Sequence, residues 1–151
     1  MPPIDKQVII ARLSGIEAEL AELEDLSRLS FEAYSQKPNF MLAEYHLHRA
    51  LEGVFNIAAH MNSRRPGGAG TSQYKDIARQ FGEYGFIDSN FANTVLVKMA
   101  GYRNRLVHFY ANITQKETFV LLHTHLKDIK FFVDGVKEIL RSPQKYNLES
   151  E

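Results

Sequence analysis

Between positions 103 and 110 the chain reads Arg103-Asn104-Arg105-Leu106-Val107-His108-Phe109-Tyr110. Arg103 offers a permanent charge on a planar donor fork that fits phosphate oxygens. His108, after four intervening residues, exchanges a proton near neutrality. Tyr110 adds a phenol, and Asn104 a neutral group that both donates and accepts. Nowhere else does the sequence gather a phosphate-binding cation, a group titrating near neutral pH and a phenol so tightly. The chemistry open to such a set is proton transfer at a phosphate held by the cation. The plainer alternative is that an Arg and a His on a polar helix face are solvent-exposed, and that Tyr110 packs with its hydroxyl wet.

These side chains sit in a helical pattern. Counted at about 100° per residue, Val95, Met99, Tyr102, Leu106 and Phe109 fall on one arc, the expected core face. Arg103, Asn104, His108 and Tyr110 fall on the rest of the circumference, with Asn104 and His108 one turn apart. Arg103 and His108 are themselves roughly 140° apart on the same count. They can serve one ligand only if the helix ends or bends near His108, or if the ligand spans the face. Arg105 lies between the arcs, a salt-bridge partner or a contact to nucleic-acid backbone, and stays outside the catalytic set.

The elements that must position the motif also read as helices. Asp5 can cap a long amphipathic helix with Ile9, Leu13, Ile16, Leu20 and Leu23 stepping by four and three. A second stretch from about Ser27 to Gln36 stops near Pro38, because the residue before proline disfavours the helical basin. A third runs from Phe40 to about His60. Residues 62–72, with Arg64-Arg65-Pro66-Gly67-Gly68-Ala69-Gly70, read as a flexible surface loop whose arginines could fasten onto RNA. A shorter helix ends before Gly85, and Asp88 or Ser89 caps the motif helix. Thr114 and Glu117 have capping-box spacing for a long last helix through Phe119, Leu122, Leu126, Ile129, Val133, Val136 and Leu140. No stretch alternates as a strand does. The expected fold is all-α: one domain over residues 1–151, a helical bundle with two long antiparallel helices and shorter ones against them.

Composition bounds the function. Apolar residues make up 44% and charged residues 24%, which is globular and not disordered. Lys plus Arg (18) balances Asp plus Glu (18), so any nucleic-acid binding must come from a local patch or one doubled by oligomerisation. Cysteine is absent, which removes disulfides, thiolate zinc sites and Cys nucleophiles. The start lacks the pattern of a secretory signal and no stretch approaches bilayer-spanning length, so a cytoplasmic protein without membrane contact is expected. No metal is expected: His46 and His48, like His123 and His125, are two apart and lie on nearly opposite sides of a helix. No cofactor is expected either. The Gly-rich run lacks the strand and Lys of a phosphate loop, and no strand-borne pair of carboxylates is available for magnesium.

Arg103-x4-His108-x-Tyr110, with Asn104 directly after the Arg, follows Met99-Ala100-Gly101-Tyr102. Earlier stand Tyr74-Lys75-Asp76-Ile77 and Tyr84-Gly85-Phe86-Ile87, and a long final helix follows. This composite resembles the signature of the HEPN superfamily, and specifically of HepT-like ribonuclease toxins, the toxins of HepT/MntA toxin–antitoxin systems. The resemblance spans roughly residues 40 to 140.

The resemblance implies a HEPN-type helical domain and metal-independent endoribonuclease activity. Arg103 would hold the scissile phosphate, His108 would move a proton to or from the reacting oxygens, and Asn104 would orient the imidazole or donate to the phosphate. Attack by the ribose 2′-hydroxyl would restrict cleavage to RNA, messenger or transfer, and leave a 2′,3′-cyclic phosphate. One His per chain must serve a reaction that uses both base and acid. A homodimer that brings two motif helices together supplies the second, and HepT-like proteins are dimers with a shared cleft. The resemblance further implies that Tyr110 is the site at which a cognate nucleotidyltransferase antitoxin of MNT type attaches AMP. The remaining readings are a catalytically silent HEPN domain that binds nucleotides or a partner, and a plain helical scaffold.

Overall fold

The computed structural model describes residues 3–68, 73–108 and 113–149. No β-strand occurs among them. Helix α1 spans Lys6–Ser27, α2 Phe31–Tyr34, α3 Asn39–Asn62, α4 Tyr74–Glu83, α5 Ser89–Phe91, α6 Val97–Val107, α7 Gln115–Thr124 and α8 Leu126–Arg141. A π-helical turn, Ala92–Leu96, joins α5 to α6, and a 3-10 turn, Pro143–Tyr146, follows α8.

α1 begins where expected, with the Asp5 carboxylate accepting from the Val8 N–H at 3.1 Å. Its buried stripe of Ile9, Leu13, Ile16, Leu20 and Leu23 lies along α3. The two run antiparallel: the Asp5 N–H donates to the His60 imidazole, Ile16 sits on Gly53, and Glu19 takes Arg49. A Cβ at Gly53 would come within 2.7 Å of the Ile16 side chain, so glycine lets the two backbones approach. The mid-portion of α3, which carries Glu52, is held against α1 at that point.

The second stretch is shorter than the sequence suggests. α1 runs on to Ser27, and Ser30 then caps a single turn, α2. That turn buries Tyr34 completely, its hydroxyl donating to Thr118 at 2.6 Å. The final helix is two helices. α7 ends at Thr124, whose hydroxyl donates to the Val120 carbonyl at 2.8 Å, while His123 Nδ1 takes the Phe119 carbonyl at 2.7 Å. Side chains that bond these carbonyls compete with the backbone ladder and bend a helix, and α8 restarts beyond His125. α8 lies antiparallel to α1 through Lys130 with Glu24 and Lys137 with Glu17. The buried side chains form one cluster drawn from α1, α3, α4, α6, α7 and α8.

The described part of the Gly-rich run is tied down. The Gly68 N–H donates to the Arg65 carbonyl, and the Tyr84 hydroxyl to the Pro66 carbonyl at 3.0 Å. A Cβ at Gly68 would overlap the Asn62 carbonyl at 1.8 Å, so only glycine fits. Arg64 donates to the Pro3 carbonyl and Arg65 to that of Asn147. These arginines fasten the two ends of the described chain, whose Ile4 N–H donates to the Glu149 carbonyl. Residues 69–72, the rest of the expected loop, lie outside the described residues.

No helix among the described residues is long and apolar enough to cross a membrane.

Candidate functional site

The motif helix starts at Asp88, whose carboxylate accepts from the Phe91 N–H at 2.9 Å. It passes through the π turn and ends at Val107. Its buried line is Ala92, Leu96, Met99 and Ala100, while Val95, Tyr102 and Leu106 pack only at the edge. With Met99 set to zero at about 100° per residue, Leu96 lies near 60°, Ala100 near 100° and Arg103 near 40°. Arg103 therefore points along the buried line. The expectation that it lies with the polar arc is wrong, because the true core face is turned toward it.

A cation directed inward needs a counter-charge. Arg103 Nε donates to Glu52 Oε1 of α3, and its plane lies over the Tyr74 ring of α4, 4.0 Å from the centroid. The Tyr74 hydroxyl donates to Glu52 Oε2 at 2.9 Å. His48, one turn before Glu52, brings Nε2 within 3.3 Å of Oε1. Burial pushes the Glu52 carboxyl up. The hydrogen bonds from Arg103 and Tyr74 and the charges of Arg103 and His48 outweigh it and hold the group below its ordinary value, so Glu52 is a carboxylate near neutrality. Burial and then Glu52 push the Tyr74 phenol up. Arg103 Nη1 donates to Asn104 Oδ1 at 3.2 Å. Nη2 makes no hydrogen bond among the described residues.

His108 lies beyond the last helical turn. Its backbone turns to φ −106°, ψ 98°, and its N–H makes the final bond, to the Asn104 carbonyl at 3.2 Å. The side chain is exposed. Arg105 is a salt-bridge partner: it grips Glu117 with two bonds of 2.7 and 3.0 Å. Glu117 also closes the capping box with Thr114. The hydrogen bond from Arg105 holds the Glu117 carboxyl below its ordinary range. One carboxylate thus starts α7 and ties it to the end of α6. Tyr110 and Phe109 fall outside the described residues.

The structure brings Arg103 and Asn104 into direct contact and sets His108 on the extended backbone just past α6. It adds Glu52 and His48, which no motif marked, and gives Tyr74, legible only as part of the family composite, a place against Arg103. A signal existed: α3 carries only two acidic residues, Glu44 and Glu52. The other histidines are engaged elsewhere. His46 contacts Glu19, His123 takes the Ser27 carbonyl, and His125 pairs with Asp128 at 2.8 Å. Among the described residues no three His, Asp or Glu side chains are grouped to hold a metal.

The described residues fold as an all-α helical domain. Several solved structures share it. A chain from a crystal structure of a toxin–antitoxin with AMP-PNP superposes with TM-score 0.75 at 21% identity, covering 87% of this chain and 98% of that one. The tri-AMPylated Shewanella oneidensis HEPN toxin in complex with MNT antitoxin gives 0.72 at 24%, covering 87% and 97%. A mutant toxin–antitoxin MntA–HpeT, with a tyrosine replaced by alanine, gives 0.74 at 20%, covering 87% and 98%. No curated protein matches. The family described as ribonuclease HepT-like matches residues 16–136, four-fifths of the chain and the whole motif. The chain belongs to the HepT-like ribonuclease family.

Proposed function

We propose that this protein is an endoribonuclease acting as the toxin of a toxin–antitoxin pair, with Arg103, Asn104 and His108 as its cleavage residues. One observation carries the reading: α6 ends at Val107, so His108 leaves the helical path directly after a helix that anchors Arg103. This meets the condition under which two groups roughly 140° apart on a helix can reach one phosphodiester. Arg103 binds the scissile phosphate through Nη2 and stabilises the charge that builds on it. His108 takes the proton from the ribose 2′-hydroxyl or gives one to the leaving 5′-oxygen. Asn104, bonded to Arg103 through Oδ1, keeps its amide N–H groups for the phosphate. The products are a 2′,3′-cyclic phosphate and a free 5′-hydroxyl, with protein groups alone moving the protons.

Acid and base come from two copies of His108 across a homodimer, which also doubles the positive charge at the cleft. Tyr110 is the residue at which an MNT-type nucleotidyltransferase antitoxin attaches AMP; the added phosphate brings negative charge and bulk beside Arg103 and blocks the cleft. Family membership and the AMPylated HEPN toxin of similar fold support this reading.

The test is to incubate purified protein with RNA in excess EDTA and to map the product ends. Cyclic-phosphate ends are expected; 3′-hydroxyl ends, or activity that vanishes on chelation, would refute the mechanism. For Tyr110, intact mass after co-expression with the antitoxin is expected to show AMP-sized increments that Tyr110→Phe abolishes, and unchanged mass would refute the modification.

A further inference from the structure

Eight of the 18 Lys and Arg side chains face a carboxylate among the described residues, Arg103 and Arg105 of the motif included. Arg28, Arg49, Arg79, Lys130, Lys137 and Arg141 each face a carboxylate. Lys75 of α4 and Lys98 of α6 are among the cations without a carboxylate partner in the described residues, and these two line one open groove of about 580 Å³. No carboxylate among the described residues lines it. Asp76, beside Lys75, is paired with Arg79 at 3.0 Å. The groove between α1 and α3 is lined instead by Glu19 and Glu52 as well as Arg12 and Arg49, which balances its charge. In a chain with formal net charge +0, the α4–α6 groove is a local positive strip.

Its shape and its end matter as much as its charge. Gly101 forms the floor, with Lys75 Cε passing 3.8 Å from where a Cβ would stand. Tyr102 lines one wall, and Asn104 and Arg105 close the end that meets the motif. Lys98 and Asn104 are six residues apart on one helix, about 9 Å along its axis. That length spans two to three nucleotides at about 3.4 Å per stacked step. An aromatic ring beside free cations is the combination that holds single-stranded nucleic acid without reading sequence.

We propose that the α4–α6 groove is the track for the substrate strand, in which Lys75 and Lys98 bind successive backbone phosphates of single-stranded RNA as it leaves the phosphate held by Arg103. Tyr102 offers a stacking face to a base there. Arg105 contributes less, because Glu117 neutralises it. This inference rests on the ribonuclease reading, but its test does not depend on cleavage.

The probe is a fluorescent 20-nucleotide single-stranded RNA with every 2′-hydroxyl methylated, which cannot be cleaved by 2′-attack. Binding is measured by anisotropy over a salt series for the full-length protein, the double variant Lys75→Ala/Lys98→Ala, and a charge-matched control, Lys130→Ala/Lys137→Ala. The lysines are surface groups, and circular dichroism with thermal melts verifies folding. The groove variant is expected to bind about tenfold more weakly, and the slope of log affinity against log salt to fall by about 1.4, the release of two single-strand contacts. The control should change little. Equal losses in both variants, unchanged binding in the groove variant, or no binding by the wild type would each overturn the proposal. So would undiminished RNA binding with weakened capture of the antitoxin, which would mark the groove as a protein-docking surface. Loss of cleavage in His108→Ala tests the ribonuclease reading separately.

Discussion

Glu52→Gln removes one charge from the cluster around Arg103 while keeping an oxygen that accepts from Tyr74. Arg103 and Glu52 are only 23% and 25% exposed, so the pair lies between two regimes. Exposed ion pairs contribute roughly 0–1 kcal/mol, and removing one partner of a buried pair costs roughly 3–5 kcal/mol. With the Tyr74 ring still against the guanidinium, the expected loss is about 2 kcal/mol. For a chain of this size that lowers Tm by about 4–8 °C. Because the folded Glu52 carboxyl is held below its unfolded value of 4.5, its contribution is fully present above that pH and is lost as pH falls through the folded value. The gap in Tm between wild type and variant should therefore be full near neutral pH and shrink below about pH 4.5. Thermal melts at several pH values read this directly. RNA cleavage should also fall by about tenfold in kcat, since a loosened guanidinium is less well aimed. A variant melting within 1 °C of wild type at neutral pH, or a gap that persists unchanged in acid, would refute the reasoning.

Other perturbations reach separate parts of the structure. Thr114→Ala breaks the capping box of α7 and should cost about 1 kcal/mol, read as a lower urea midpoint with an unchanged slope. Arg105→Ala should cost less than about 1 kcal/mol of stability, since the Arg105–Glu117 pair is exposed, yet should speed hydrogen exchange at the start of α7. His60 accepts from the Asp5 N–H and is held below its ordinary value by burial first and then by Arg64 and Arg12. Its neutral form is favoured by folding, so stability is full above the unfolded value of 6.5 and declines as pH falls through the folded one. Urea midpoints between pH 7.5 and 5.5 should show that decline, and His60→Gln should flatten it.

Much of the fold was legible because its signals are local. Asp5, Asp88, Thr114 and Glu117 cap the helices their spacing indicates, and the α1 stripe is the buried one. The break at His125 was not legible, since it depends on Thr124 and His123 competing for carbonyls inside an uninterrupted heptad pattern. The same limit applied at the site. The motif is visible as residue types, but Arg103 shares the buried line of Leu96, Met99 and Ala100, which is not the arc that the hydrophobic period indicates. Its partners depend on a contact between positions 52 and 103, which no local pattern carries. Arg103 is accordingly a core-edge cation paired with Glu52 and not a surface one.

The most direct measurement is the single-turnover rate of RNA cleavage by wild type and His108→Ala, with matching circular dichroism spectra and Tm. His108 is an exposed helix cap, so the variant should fold as wild type does. The account predicts a rate lower by about 10²–10⁴-fold, the usual worth of a positioned acid or base. Cleavage at the wild-type rate by a normally folded His108→Ala protein would contradict it.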